Sequence, residues 1–108
     1  MTDLLDQQLA AISREFAKPS ISDFLARELD RKVAAMSSDS ARRHFLAEQL
    51  GSWAERYRVF ARTGAQPFGG PHPQYGEMQA PDFVVVIGAI QSALAIVKAR
   101  IAKMEAVS

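Results

Sequence analysis

Cysteine is missing from this 108-residue chain, which also contains only one tryptophan and two histidines. Without cysteine there is no disulfide, no thiolate metal site and no cysteine nucleophile. An excess of charge of one sign is missing as well, because 13 Lys and Arg stand against 12 Asp and Glu, giving a net charge of +1. Proteins that coat nucleic acid are usually strongly basic, so the charge balance argues against that class but allows a local basic patch.

A targeting signal is not recognisable in the first residues, MTDLLDQQLAAISREF. They lack the basic start and the continuous apolar run of a signal peptide. Asp3 and Asp6 also speak against a transit peptide, which is poor in acidic residues. Since the lack of cysteine fits a reducing compartment too, we expect an intracellular, cytoplasmic protein.

The composition that is present is typical of a globular protein. Apolar residues make up 48% of the chain and charged residues 23%. The length is that of one domain, which buries roughly two-thirds of the surface of its unfolded chain. We therefore expect a single domain over residues 1–108.

Apolar residues recur at three- and four-residue spacing in four segments, which predicts helices at about residues 2–17, 22–36, 40–62 and 82–106. Capping signals support these bounds: Ser20 and Asp23 have the spacing of a capping box, with Ser22 as a rival cap, Gly64 is a natural C-terminal cap, and Asp82 precedes the last helix. The core is expected to contain Leu9, Ile12, Phe16, Phe24, Leu25, Leu29, Phe45, Leu46, Leu50, Trp53, Tyr57, Phe60, Ile87, Ile90, Leu94, Val97 and Ile101.

Residues 63–81 contain four of the six glycines and four of the five prolines, so no regular element is expected there. A connection of this length without structure of its own is usually functional or a linker. The predicted fold is therefore all-α, a four-helix bundle-like domain with a long Gly/Pro-rich loop between the third and fourth helices.

The fourth helix is apolar on almost every side between Phe83 and Val97. A helix of this kind must be buried all round, either at the centre of the bundle or against another chain. Val84, Val85 and Ile96 are the candidates for such a contact. A transmembrane helix is not expected, because the apolar run of about 15 residues is shorter than the roughly 20 that span a bilayer.

The loop carries Phe68, His72 and Tyr75 among its prolines, and exposed aromatic side chains on a proline-rich segment can bind a partner. Alternatively, Phe68 and Tyr75 fold back and cover the core. We include all three residues among the interface candidates.

Two further kinds of site, for nucleic acid and for a metal ion, have less support in the sequence. Phosphate binding would use the arginines of the third helix, although local salt bridges explain them equally well. These nucleic-acid candidates are Arg42, Arg43, Arg56, Arg58 and Arg62. His44 and Glu48 are four residues apart and could offer two metal ligands, with His72 or Glu77 as a third. Two histidines in the whole sequence are, however, few for a metal site. We predict no metal and no cofactor.

No sequence context indicates catalysis, because the serines lie at caps and turns and neither histidine has the setting of a catalytic triad. The function expected is therefore non-enzymatic: a protein–protein interaction or structural subunit of a homo-oligomer or larger assembly, without a membrane. The alternatives are a nucleic-acid-associated helical protein and a domain that binds a small molecule or metal.

Overall fold

The computed structural model describes residues 20–107 of the protein. In that range the chain forms three helices and no strand: α1 (Ile21–Ala35), α2 (Asp39–Thr63) and α3 (Ala80–Val107). The all-α class is therefore confirmed. The structure shows three helices where the sequence predicts a four-helix bundle, and the helix predicted over residues 2–17, with Leu9, Ile12 and Phe16, lies outside the described residues.

Local capping explains where α1 and α2 begin and end. The Ser20 hydroxyl accepts from the Asp23 backbone N–H at 3.2 Å and the Asp23 carboxylate accepts from the Ser20 N–H, so the predicted capping box is formed. Ser38 caps α2 in the same manner by accepting from Ala41. Gly64 ends α2 with a φ of 76°, a left-handed conformation that glycine adopts without steric cost.

The last helix begins two residues earlier than predicted, at Ala80. Asp82 lies inside its first turn, and its carboxylate accepts from the backbone N–H of Gln79 at 2.8 Å. Pro81 is tolerated at this position because the first helical N–H groups have no intrahelical partner. Residues 83–87 are helical although they are rich in β-branched side chains, which would also suit a strand.

Both α1 and α2 pack on α3 and make few contacts with each other. Phe83 of α3 is fully buried and meets three aromatic rings of α2, with ring centroids at 6.1 Å from Trp53, 5.5 Å from Tyr57 and 4.8 Å from Phe60. Aromatic pairs at these separations add to the free energy gained by burial. The buried apolar core consists of Ile21, Leu29, Leu46, Trp53, Met78, Phe83, Val86, Ile90, Leu94 and Val97.

Gly51 in the middle of α2 has no packing role in the fold. It is exposed, and a Cβ atom added there would meet nothing within 4 Å. The close helix contact that a glycine at this position could permit is therefore not present among the described residues.

Asp39 joins the ends of all three helices. Its carboxylate accepts from Arg100 of α3 at 2.8 and 3.1 Å and from Arg42 at 2.8 Å. Arg42 also donates to the backbone carbonyls of Val33 at 2.9 Å and of Met36, at the C-terminal end of α1. Hydrogen bonds from Arg100 and then Arg42 hold the pKa of the Asp39 carboxyl below its ordinary value.

Replacing Asp39 with Asn is expected to destabilise the fold at neutral pH and to flatten its acid dependence. A lowered folded-state pKa contributes stability above the ordinary aspartate pKa of about 3.9, and this contribution is lost as the pH falls through the lowered value. Thermal unfolding of both chains from about pH 7 to about pH 2 measures the difference. Glu55→Gln is the control, because Glu55 pairs only with Arg58 on the same exposed helix face and should change little.

Candidate functional site

One face of α3 is covered by neither α1 nor α2, and we call it the outer face. It carries Val84, Val85 and Ile96, which are 58%, 48% and 57% exposed. Between them the side chains are small. The outer face consists of Val84, Val85, Gly88, Ser92, Ala95, Ile96 and Ala99.

The small residues of the outer face leave room for a second helix. Gly88, Ser92, Ala95 and Ala99 follow one another at spacings of four, three and four, so they form a stripe along the helix. A Cβ atom added to Gly88 would meet nothing within 4 Å, so packing inside the described chain does not require glycine there. Glycine costs a helix about 1 kcal/mol relative to alanine, and no contact among residues 20–107 offsets that cost.

The length of α3 contradicts the argument made above against a membrane span. Its 28 residues correspond to about 42 Å, longer than the hydrocarbon core of a bilayer. By length and composition Ala80–Ala106 could cross a membrane, and 28% of its most apolar window is buried inside the protein. This is weak evidence for a membrane location, because central helices of water-soluble proteins have the same composition.

A groove of about 280 Å³ runs between α1 and α2 over α3. Its floor is formed by the buried side chains of Val86 and Ile90. Apolar side chains form most of the walls, and we call the whole surface the groove. The wall residues are Leu25, Glu28, Leu29 and Lys32 of α1, Phe45, Gln49, Trp53 and Arg56 of α2, and Phe68 of the connection.

The rim of the groove carries a cation on each wall. The guanidinium carbon of Arg56 lies 4.9 Å from the centroid of the Trp53 ring, at the Phe68 end, and Lys32 borders the other wall. Glu28 is the only acidic lining residue, and Arg31 donates to its carboxylate at 2.7 Å. An apolar floor between two walls is the geometry that accepts an amphipathic helix.

The connection over residues 64–79 has a defined conformation. The side-chain amide of Gln66 donates to the Met78 carbonyl at 3.0 Å and accepts from the Met78 backbone N–H at 2.6 Å. His72 and Gly76 exchange two backbone hydrogen bonds of 2.8 Å, which closes a tight turn at the tip. Met78 is thereby carried into the core, where it is fully buried. This burial was not predictable, because the residues that flank Met78 show no helical or strand periodicity of apolar side chains.

The three loop candidates for an interface lie in different settings. Tyr75 stacks on Phe24 of α1 with ring centroids 5.0 Å apart, and His72 lies 5.4 Å from the same ring. Nδ1 of His72 accepts from the backbone N–H groups of Gln74 and Tyr75. Phe68 is 48% exposed and meets the edge of Trp53, so it belongs to the groove.

Most of the arginines considered for nucleic acid have partners within the chain. Arg42 holds the end of α1, Arg56 lies over Trp53, and Arg58 donates to the Glu55 carboxylate at 2.7 and 2.9 Å. Arg43 and Arg62 are exposed. The structure therefore does not bring the five side chains together into one basic patch.

The candidate metal ligands also lie in different environments and do not form one site. His44 and Glu48 form an exposed pair on α2, with 3.2 Å between Nε2 and Oε1, whereas His72 packs among aromatic rings. Within residues 20–107 no group of three or more His, Asp or Glu side chains is arranged to hold a metal ion.

Comparison with protein-family models, with curated proteins and with solved structures gives no match for this chain. The two apolar surfaces are therefore interpreted from their own geometry.

Truncating Met78 to alanine is expected to destabilise the protein by about 2–5 kcal/mol, because it leaves a cavity beneath the loop. Chemical denaturation measures the loss. Gln74→Ala, at the exposed tip of the same loop, should change the free energy of unfolding by no more than about 0.5 kcal/mol. Equal effects of the two substitutions would show that Met78 is not part of the core.

Proposed function

We propose that the protein is a non-enzymatic structural or interaction protein that forms homo-oligomers through the outer face of α3. The observation that carries this proposal is the exposure of Val84, Val85 and Ile96 beside a stripe of small residues. Apolar helix faces that remain uncovered within a chain typically mark an interaction surface.

A second copy of the chain suits the outer face because the face is complementary to itself. No charged residue occurs between Phe83 and Val97, while Asp82 lies at one end of α3 and the exposed Lys103 near the other. In an antiparallel pair the two helices bring these opposite charges together and align their dipoles favourably. A twofold interface requires this property, since each subunit presents the same surface to the other.

The four-helix arrangement expected from the sequence is part of the proposal, with residues 2–17 as the additional helix. The outer face and the groove lie on different sides of α3, because Val86 and Ile90 of the groove floor point away from Val84 and Val85.

Replacing Gly88 with leucine is expected to convert the oligomer into a monomer. The new side chain fills the space that the partner helix needs, while the folded chain has room for its Cβ atom and gains about 0.5–1 kcal/mol of helix propensity. Light scattering on a sizing column over a wide concentration range measures the mass of each chain.

Gly51→Leu is the matched control, because Gly51 is an exposed helical glycine that, like the half-buried Gly88, has nothing within 4 Å of an added Cβ atom. It should gain similar stability and remain oligomeric. A parent chain that is monomeric at all concentrations contradicts the proposal. If such a monomer binds neutral phosphatidylcholine vesicles through Val85 and Ile96, the outer face is instead a membrane-binding surface.

A further inference from the structure

We infer that two copies of the chain pair through α3 as antiparallel helices in one register, in which Ser92 of each copy faces the partner's Ala95 across the twofold axis. This register rests on the self-association proposed above and adds to it the orientation of the two helices and the residues that meet. Three features of α3 carry it: a seven-residue repeat of small side chains, the charges beside that repeat, and the like charges that the opposite orientation would bring together.

A row of uncovered residues follows α3 along almost its whole length at alternating spacings of four and three. Two positions in every seven is the repeat with which a helix keeps one side against a partner helix. From Gly88 to Ala106 no residue of this row is larger than serine, so two such helices can approach to about 8 Å between axes. We call the row the seam. The seam consists of Pro81, Val85, Gly88, Ser92, Ala95, Ala99, Ala102 and Ala106, all exposed except the half-buried Gly88.

One antiparallel register aligns every position of the seam with a position of the partner's seam. In it Ser92 faces the partner's Ala95, and Gly88 faces the partner's Ala99. Val85, the bulkiest residue of the seam, faces an alanine near the other end of the partner helix. Large side chains therefore never face each other, and the close approach continues along the whole contact.

The residues on the two flanks of the seam are complementary in this register. In an antiparallel pair each flank lies beside the same flank of the partner helix. Asp82 then lies beside the partner's Lys103 on one flank, and Gln91 lies beside the partner's Lys98 on the other. The twofold axis forms each of these contacts twice, so the pair gains two contacts between opposite charges and two between an amide and an ammonium group.

A parallel pair is disfavoured by the same flanking residues. Each flank then lies beside the opposite flank of the partner, with an offset of about five residues. Lys98 would lie beside the partner's Lys103, and the amide of Gln91 would lie beside the apolar side chain of the partner's Ile96. The like charges repel, and the two helix dipoles point in the same direction, so the antiparallel orientation is the more stable one.

Cysteine cross-linking of the full chain tests the register, because the sequence contains no cysteine of its own. A disulfide needs Cα atoms about 4.4–6.8 Å apart, whereas in this register each Gly88 or Ala99 lies about 16 Å along the axis from its own equivalent. Under mild oxidation, chains with Gly88→Cys should link to chains with Ala99→Cys roughly tenfold faster than either variant links to itself. Gly51→Cys, at the exposed glycine of α2, controls for random collision and should link only slowly.

The outcomes separate the register from the self-association on which it rests. If the protein is a dimer and Gly88→Cys and Ala99→Cys each link mainly to themselves, the helices are parallel: the register is wrong, and self-association through the outer face stands. If the protein is a dimer and neither cysteine links faster than Gly51→Cys, another surface forms the contact and both proposals are wrong. A monomer at all concentrations overturns both as well.

Gln91→Glu tests the flanking contacts. The new carboxylate lies beside the partner's Lys98 twice in each pair, so we expect the dissociation constant of the dimer to fall roughly threefold to tenfold at low salt and the gain to vanish at high salt. Sedimentation equilibrium measures both values. Gln74→Glu, at the exposed tip of the loop, adds the same charge away from the seam and should leave the dissociation constant unchanged. Equal dissociation constants for the two variants would contradict the register.

Discussion

The need to bury α3 is the constraint on which the arrangement of the whole domain depends. From Phe83 to Val97 the helix has no charged residue, and its most deeply buried side chains are Phe83, Ile90 and Val97. Helices α1 and α2 pack against it because each has only one apolar side to cover, and both gain more from α3 than from each other. Two helices with one apolar side each cannot enclose α3, so its outer face remains uncovered.

The groove and the outer face of α3 differ in chemistry. The groove is concave, lined by aromatic and aliphatic side chains and bordered by Lys32 and Arg56. The outer face is convex and built from small and β-branched residues without charge. A close helix–helix contact suits the outer face because its side chains are small.

Local features of the fold were largely predictable from the sequence. The capping residues Ser20 and Gly64 and the helix bounds to within two residues follow from short-range chemistry. The role of Arg42 was not predictable, because its acceptors belong to the preceding helix and become neighbours only after the turn forms. Burial of Met78 was missed for a similar reason, since it depends on a hydrogen-bonded contact twelve residues back along the chain.

The candidate site shows the same division between local and non-local information. The composition of the last helix predicted more apolar surface than the other helices could cover. In the structure Val84, Val85 and Ile96 are indeed exposed. The groove was not readable, because it is a space between elements whose relative placement is set by packing. The argument against a membrane span counted only the uncharged run from Phe83 to Val97, whereas the whole of α3 is long and apolar enough to cross a bilayer.

The two hydrogen bonds between Gln66 and Met78 affect which insertions the loop can accept without disturbing the helices. One side chain fixes both ends of the loop, so the eleven residues between them do not determine how α2 and α3 pack. The entropy lost on closing a loop grows only slowly with its length. Additional residues inserted at the exposed Pro73–Gln74 tip would therefore leave the helices in place, which makes this tip the natural point for attaching a label or a second domain.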